Sequence, residues 1–243
     1  MANIYISYQK LKQIVNRENR FYGNKSTVLD LLYENDAIYS TQIPAGREFF
    51  RGRIFDVDDV TSTYGKYHNW VDSDDGIFQG YGKSESGAPP AKFATEGRLN
   101  VKGIPFLYTC NNVDTVIHEL RPTREEYISV AKFITKKDLK FADLTIFKSD
   151  RIKNADLSDL IMFIANDFST PHYTGHSYAF TQYLAGQFMN MGFDGIIFES
   201  SLNPSGENYV FFYTNDCEAV SSHLYMACEF HVDYKSISRK DIK

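Results

Sequence analysis

Apolar residues near the N-terminus recur three and four positions apart, which is the spacing of an amphipathic helix. Residues 8–21 and 26–34 both show this pattern, and Ser26 is of the residue type that caps helix N-termini. The turn-forming sequence IPAG at 43–46 ends this part of the chain. The pattern therefore predicts a small helical N-terminal extension over residues 1–45.

The rest of the chain, residues 46–243, mixes short apolar runs with longer helical patterns. The predicted strands lie at 47–55, 105–110, 127–135, 139–147, 194–200, 208–214 and 224–234. The predicted helices lie at 113–121, 156–167 and 176–192. A long polar stretch at 56–104 has little periodicity, which is typical of a binding loop. The pattern predicts one α+β domain, a compact mixed sheet with flanking helices, after the N-terminal extension.

Composition adds two points to this fold prediction. The 19 Phe and 17 Tyr residues favour a β-rich structure and supply flat faces on which a ring-bearing ligand can stack. The formal net charge of −5, with scattered Lys and Arg, is unlike the clustered basic surface that nucleic acid requires. We therefore expect no direct nucleic-acid partner.

The cysteines and the apolar runs bear on localisation. The three cysteines, Cys110, Cys217 and Cys228, have no CxxC spacing, so neither a zinc site nor a secreted disulfide framework is expected. The N-terminal sequence lacks the apolar region of a signal peptide, and no run approaches the roughly 20 residues of a membrane span. The sequence thus predicts a cytoplasmic protein without a membrane partner.

The segment GRLNVKGIPFLYTCNNVDTVIHEL, residues 97–120, carries a cation, a phenol and a carboxylate. Arg98 lies in a turn after Gly97, Tyr108 in a predicted strand and Glu119 near the end of a predicted helix. A dinucleotide such as NAD⁺ needs a guanidinium for its pyrophosphate and an aromatic face for its nicotinamide. A carboxylate stabilises the oxocarbenium-like state in which the nicotinamide–ribose bond breaks. The segment supplies all three groups.

Two stretches of the chain resemble the RES-domain family, which is named for its Arg, Glu and Ser. The first family motif, G-R-(aromatic)-N-x-x-G-x-x-x-x-Y, is similar to GRLNVKGIPFLY at 97–108. The second runs Y-x-x-T-Q-x-L-A, then G-x-D-G-I-x-Y-x-S, then G-x-N. It is similar to YAFTQYLAGQFMNMGFDGIIFESSLNPSGENYVFF at 178–212. FFRGRIF at 49–55 looks like the family's opening strand, so the resemblance covers roughly residues 47–215.

The resemblance implies a fold related to the ADP-ribosyltransferase toxins and an activity that destroys NAD⁺. NAD⁺ would then be a substrate and not a cofactor, with inorganic phosphate or water as the acceptor. It also implies a toxin neutralised by a protein antitoxin, usually one with a helix-turn-helix module. The oligomeric state stays open, and a homo-oligomer is one option.

Carried over position by position, the resemblance implies two sets of site residues. The expected catalytic residues are Arg98, Tyr108, Glu119 and Ser200. The expected substrate-binding residues are Arg51, Asn100, Gly103 and Asn208. Ser200 is expected to bind phosphate or ribose and not to act as a nucleophile, because no G-x-S-x-G elbow surrounds it.

The sequence also departs from the family pattern. Leu99 replaces the aromatic residue after the motif arginine, so one stacking surface is either lost or supplied elsewhere, by Phe106 or Tyr64. Glu199 stands before the serine where proline is common. The N-terminal extension and the stretch at 56–95 exceed a minimal member, and a partner surface, a lid and a substrate determinant are all open roles for them.

Two other functions and two candidate metal sites are compatible with parts of the sequence. ADP-ribosyl transfer to a macromolecule uses the same bond cleavage with another acceptor, and a binding module with degraded chemistry would bind without turnover. His172 and His176 are four residues apart, and DSDDG at 72–76 is rich in oxygen ligands. The histidine pair lacks a third ligand, and the acidic stretch lacks the glutamate of an EF-hand. No metal site is therefore expected.

Overall fold

In a computed structural model of the protein, the described residues are 3–19, 21, 26–55, 80–170 and 178–229. The helices are α1 (Ile4–Arg17), α2 (Thr27–Glu34), α3 (Lys83–Ser86), α4 (Val113–Leu120), α5 (Ala155–Ser169) and α6 (Ala179–Asn190). The strands are β1 (Ser40–Ile43), β2 (Glu48–Phe55), β3 (Leu107–Cys110), β4 (Tyr127–Thr135), β5 (Leu139–Asp143), β6 (Gly195–Glu199), β7 (Glu207–Phe211) and β8 (Cys217–Met226).

Within the described residues, the eight strands form one mixed sheet in the order β1-β5-β6-β7-β3-β2-β4-β8. β5 and β6 run parallel and are connected through α5 and α6, whereas the other neighbouring strands run antiparallel. The predicted mixed sheet with flanking helices is confirmed. The relation to the ADP-ribosyltransferase toxin fold stays a prediction.

Side chains alternate across the central strands, as the two-residue period of a strand requires. Ile196 and Val210 point into the principal core, which lies under α1, α2, α5 and α6. Ile197 and Phe211 point into a second core cluster on the opposite face. α4 covers a third, smaller cluster against β2 and β4. This cluster lies on the same face as the principal core, because its Cys110 is two residues from Tyr108, the strand partner of Val210.

The N-terminal residues take part in the main sheet and in the principal core. α1 and α2 bury Tyr8, Leu11 and Leu32 there, and β1 pairs with β5 along Ser40–Ile43. β1 was not predicted, because its four residues STQI carry little apolar signal and its pairing partner is about a hundred residues away. The division at residue 45 stays a prediction as a domain boundary.

Element ends account for most other differences from the predicted pattern. α1 begins at Ile4 and not at residue 8, because the side chain of Asn3 accepts a hydrogen bond from the Tyr5 backbone N–H and caps the helix. The prediction of Ser26 as a cap is confirmed, since its Oγ accepts from Leu29 N. Gly192 follows the end of α6 with φ of +80°, as a C-terminal stop requires.

The last predicted strand, 224–234, was misplaced. β8 spans Cys217–Met226, and it pairs with β4 at the edge of the sheet. Its first half, CEAVSS, is polar because an edge strand exposes one face, and it therefore lacks the apolar signal of a central strand. The remainder of the predicted strand lies partly outside the described residues.

Candidate active site

A cavity of about 330 Å³ lies between helix α4 and the strands β2, β3 and β7. Its volume falls in the range of small-molecule pockets, about 300 to 1,000 Å³. The lining residues combine the guanidinium group of Arg98, a carboxylate, an amide and two phenol rings with apolar side chains. They are Phe50, Arg51, Gly52, Arg98, Tyr108, Thr109, Cys110, Val116, Glu119, Leu120, Tyr178, Phe198, Asn208 and Val210.

Arg98 is held at both its ends by the helices behind the cavity. Its Nη1 donates to the carbonyl of Phe168 at the end of α5. Its own carbonyl accepts from Thr181 Oγ1 in the first turn of α6 at 2.5 Å. Burial lowers the pKa of Arg98, and the nearby Glu119 carboxylate acts in the opposite direction. An arginine remains charged at neutral pH, so its remaining N–H donors present a fixed cation to the cavity.

The loop that carries Arg98 is closed by Tyr108 and Asn100. The Tyr108 hydroxyl donates to Asn100 Oδ1 at 2.8 Å and accepts from Leu99 N at 3.1 Å. Asn100 Nδ2 in turn donates to three carbonyls of the same loop. A Cβ on Gly97 would lie 2.3 Å from Asn100 Oδ1, which explains the glycine before the arginine. Burial raises the pKa of Tyr108 to about 12, so this hydroxyl stays a donor at neutral pH.

Glu119 is oriented by two side chains from the β6–β7 region. Ser200 Oγ donates to Glu119 Oε1 at 2.7 Å, and Asn208 Nδ2 donates to the same oxygen at 2.9 Å. Within the described residues Oε2 has no hydrogen-bond partner, so it is the oxygen that remains available to a bound molecule. Cys110 Sγ lies 3.3 Å from Asn208 Oδ1, a contact that fixes which end of the amide faces Glu119.

Ser200 has no remaining hydrogen-bonding capacity. Its Oγ accepts from the backbone N–H groups of Leu202 and Asn203, both at 3.1 Å, while its single proton goes to Glu119. A hydroxyl offers one donor and two acceptor sites, and all three are used here. Ser200 is buried behind Glu119 and is not among the residues that line the cavity. This geometry favours a positioning role for Ser200, and the predicted contact with phosphate or ribose stays a prediction.

Close contacts fix α4, and therefore Glu119, relative to the sheet. Asn203 Nδ2 donates to Thr115 Oγ1 at 3.0 Å, and a Cβ on Gly206 would lie 2.4 Å from the same oxygen. On the other side of the helix, a Cβ on Gly52 would lie 2.3 Å from a methyl group of Val116. Because Gly52 and Gly206 have no Cβ, their backbone can lie directly against α4.

Arg51 is also among the lining residues, but its side chain points to the opposite face of the sheet. Arg51 pairs with Ala131 of the second core cluster, whereas its neighbour Phe50 pairs with Cys110 of the cavity wall. Arg51 lies on β2, and its Nη1 donates to the carbonyl of Ser86 at 2.7 Å. Burial, with a smaller contribution from the charge of Arg53, lowers the pKa of Arg51 to about 10. The group is still a cation at neutral pH. A cavity with the Arg98 cation and one carboxylate suits an anionic ligand that also carries a positive centre.

The structure brings together five of the eight residues predicted for the site. Arg51, Arg98, Tyr108, Glu119 and Asn208 all line the cavity. The other three lie behind it: Ser200 holds Glu119, whereas Asn100 and Gly103 belong to the loop that carries Arg98. Gly103 adopts φ of +87° in that loop, a conformation that favours glycine. The roles assigned to all eight stay predictions.

Of the two residues expected to replace the missing aromatic, Phe106 does not line the cavity. Leu99 and Phe106 both point into the principal core, where Phe106 packs on Phe212 with ring centroids 5.1 Å apart. Tyr64 lies outside the described residues. The aromatic face that sequence reasoning missed is Tyr178, which lines the cavity beside Arg98. Its position at the start of the second motif, immediately before α6, was the available signal.

Sequence reasoning also missed the residues that hold the Arg98 loop. Gln182 Nε2 donates to the carbonyls of Gly97 and Asn100, both at 3.0 Å, next to the contact of Thr181 with Arg98. Thr181 and Gln182 are the T-Q pair of the second motif. The two motifs are therefore joined directly by hydrogen bonds, a fact that their separation along the chain conceals.

Comparison with known proteins identifies the family. A model of the RES domain matches residues 73–234, which is two thirds of the 243-residue chain. The chain belongs to the RES domain family. The RES domain match includes every predicted site residue except Arg51, and it does not include α1, α2, β1 or β2.

Other comparisons are more distant. Three chains among solved structures match the RES domain protein described here. One, from the crystal structure of the M. tuberculosis MbcT–MbcA toxin–antitoxin complex, is 9% identical, with a TM-score of 0.44, and the match covers 83% of this chain and 92% of that chain. A search of curated proteins by sequence gave no match.

None of the helices among the described residues is long and apolar enough to cross a membrane. In the same part of the chain, no three His, Cys, Asp or Glu side chains lie together as metal ligands would. The His172–His176 pair and the acidic stretch at 72–76 lie outside the described residues.

Proposed function

We propose that this RES domain protein is an NAD⁺-degrading enzyme that cleaves the bond between nicotinamide and ribose. The observation that carries the proposal is the shared cavity of Arg98 and Glu119, in which one oxygen of the Glu119 carboxylate is fixed and the other stays available to a ligand. NAD⁺ combines a pyrophosphate, which needs cations, with a pyridinium ribose, which needs a carboxylate. The cavity offers both kinds of group side by side.

In the proposed binding mode, the pyrophosphate lies against the Arg98 guanidinium and the nicotinamide riboside lies deeper in the cavity. Arg98 is anchored by a backbone carbonyl, so its position is set before the substrate arrives. The apolar side chains of Phe50, Val116 and Val210 line the same cavity and would exclude water from the reacting bond. Tyr178 supplies an aromatic face.

The chemical step follows from the charges. The carbon–nitrogen bond breaks with its electron pair going to the pyridinium nitrogen, which leaves neutral nicotinamide and a cationic ribosyl centre. Glu119 Oε2 stabilises that cation, since Oε1 is already engaged by Ser200 and Asn208. Attack by phosphate gives ADP-ribose-1″-phosphate, whereas attack by water gives ADP-ribose and a proton.

The acceptor is decided by product analysis. Purified protein is incubated with NAD⁺, with and without inorganic phosphate, and the products are separated by chromatography with mass detection. Nicotinamide with ADP-ribose-1″-phosphate, formed only with phosphate, identifies a phosphorylase. Nicotinamide with free ADP-ribose in both tubes identifies a glycohydrolase. Intact NAD⁺ in both tubes contradicts the proposal.

As part of the same proposal, the enzyme acts as a cytoplasmic toxin neutralised by a protein antitoxin. The support is the family resemblance and not a surface of this chain. Induced expression of the wild-type protein without an antitoxin is expected to lower cellular NAD⁺ and arrest growth, and the Glu119→Gln variant is expected to do neither. Growth arrest at unchanged NAD⁺ would contradict this mode of toxicity.

A further inference from the structure

Helix α1 lies outside the RES domain match, yet two of its side chains bind one residue at the end of α5. The buried hydroxyl of Tyr8 donates to Asp167 Oδ2 at 2.7 Å. Lys12 Nζ donates to both oxygens of Asp167, each at 2.7 Å. Asp167 lies in the last turn of α5, where the helix dipole disfavours a negative charge. The ammonium group of Lys12 offsets this cost.

The turn that α1 binds is the one that holds the cavity residues. Phe168, next to Asp167, provides the carbonyl that accepts from Arg98. Ser169 follows, and its Oγ donates to the carbonyl of Glu199 at 2.8 Å, immediately before Ser200. The last turn of α5 therefore contacts both Arg98 and the strand end that carries the partner of Glu119.

A second contact leads from the same helix to the same arginine. The ring of Tyr8 packs edge-on against Phe180, with centroids 5.3 Å apart, and Lys12 Nζ lies 5.8 Å from the centroid of the Phe180 ring. Phe180 precedes Thr181, whose hydroxyl donates to the Arg98 carbonyl. Each of the two anchors of Arg98 is thus adjacent in sequence to a contact of α1.

We propose that Tyr8 and Lys12 are positioning residues of the cavity, which set the placement of Arg98 through Asp167 and Phe180. In this account, α1 is a part of the catalytic unit that the RES domain match leaves out. Loss of the Lys12 ammonium leaves the Asp167 carboxylate uncompensated in the last helical turn. The turn then loosens, and the Phe168 carbonyl no longer fixes the guanidinium.

A direct test measures how well the backbone around Arg98 and Ser200 is protected from exchange, and it does not depend on NAD⁺ cleavage. Hydrogen–deuterium exchange is followed by mass spectrometry on peptides that cover residues 94–104 and 199–206. Exchange of both is expected to rise roughly tenfold in Lys12→Met, to return to the wild-type rate in Lys12→Arg, and to stay unchanged in Lys10→Met. Lys10 is an exposed lysine of the same helix and gives a matched control. Tyr8→Phe, which keeps the ring, gives a second and milder variant.

The kinetic test rests on the proposed function. If Lys12 acts through Arg98 as a phosphate anchor, Lys12→Met raises KM for NAD⁺ roughly three- to tenfold with a smaller change in kcat. In an Arg98→Lys background, the same substitution changes KM less than about twofold, because the arginine that it positions is gone.

The outcomes distinguish a failure of the positioning role of α1 from a failure of the proposed function. Unchanged exchange at 94–104 in Lys12→Met and Tyr8→Phe would overturn the positioning role, as would equal KM effects with and without Arg98. Faster exchange in a protein whose wild type leaves NAD⁺ intact would support the positioning role and contradict only the proposed function. A lower melting temperature with wild-type exchange and KM would mean that α1 is merely structural, which also overturns the inference.

Discussion

Replacement of Ser200 by alanine tests whether this serine acts through Glu119 or on the substrate. The substitution removes a single oxygen atom that makes three hydrogen bonds, one to the carboxylate and two to backbone N–H groups. Because the site is buried, no bulk water replaces that oxygen easily. Glu119 Oε1 keeps only its bond from Asn208, and the carboxylate is free to rotate away from the cavity.

The magnitude follows from the bonds that are lost. A hydrogen bond to a charged group contributes about 1.5 to 3 kcal/mol, and we take the lower end because one side of Glu119 faces solvent. The two backbone N–H groups lose an acceptor as they do when a helix cap is removed, which costs about 1 kcal/mol. The total of roughly 2 to 3 kcal/mol corresponds to a fall in melting temperature of roughly 4 to 12 °C for a chain of this size.

The activity assay is a double-mutant cycle of Ser200→Ala and Glu119→Gln. In each variant the measured quantity is the rate of nicotinamide release from NAD⁺. If Ser200 only positions Glu119, Ser200→Ala lowers kcat roughly 10- to 100-fold when Glu119 is present. In the Glu119→Gln background it changes kcat by less than about twofold. Ser205→Ala, an exposed serine of the same loop, is the matched control. Equal losses in both backgrounds would refute the reasoning and would indicate a direct contact of Ser200 with the substrate.

Three further predictions concern stability and reactivity. Gly52→Ala is expected to lower the free energy of unfolding in urea by roughly 1 to 3 kcal/mol, because its new methyl group would lie 2.3 Å from Val116. Val116→Ala should restore part of that stability. An unchanged unfolding midpoint in Gly52→Ala would contradict this packing. Burial raises the pKa of Tyr108 from 10.0 to about 12, so its contribution to stability is complete below pH 10 and is lost as the pH rises towards 12. Unfolding midpoints should then fall more steeply with alkaline pH in the wild type than in Tyr108→Phe, and parallel profiles would argue against the buried phenol. Ellman's reagent at neutral pH should react only with Cys228 in the native protein and with all the cysteines in denaturant. The reason is that burial raises the pKa of the Cys110 and Cys217 thiols to about 12. Fast reaction of a second thiol in the native protein would be inconsistent with that burial.

The sequence predicted those parts of the fold and site whose signal is local. Ser26 and Gly192 are recognisable at helix ends because capping depends on the residue and its immediate neighbours. The Arg98, Tyr108 and Glu119 spacing was visible because a single segment carries all three, and the structure places all three in the cavity wall.

What the sequence did not reveal depends on contacts between distant residues. The role of Thr181 arises from a bond to Arg98, which lies 83 positions earlier. The contact of Lys12 with Asp167 spans 155 positions, and neither residue belongs to a local pattern. The predicted substrate contact of Ser200 rests on a motif, and a motif names a residue without showing which way its hydroxyl points. Only the fold shows that all its hydrogen-bonding capacity is used within the protein.

The central claim is that the carboxylate of Glu119 promotes cleavage of NAD⁺ in the cavity that contains Arg98. The most direct measurement is single-turnover release of nicotinamide from NAD⁺ by the wild type, by Glu119→Gln and by Glu218→Gln, an exposed control on β8. We predict release by the wild type and by the control, and a loss of at least roughly 100-fold in Glu119→Gln with dinucleotide binding retained. Undiminished release by Glu119→Gln, or intact NAD⁺ with the wild type, would contradict the account.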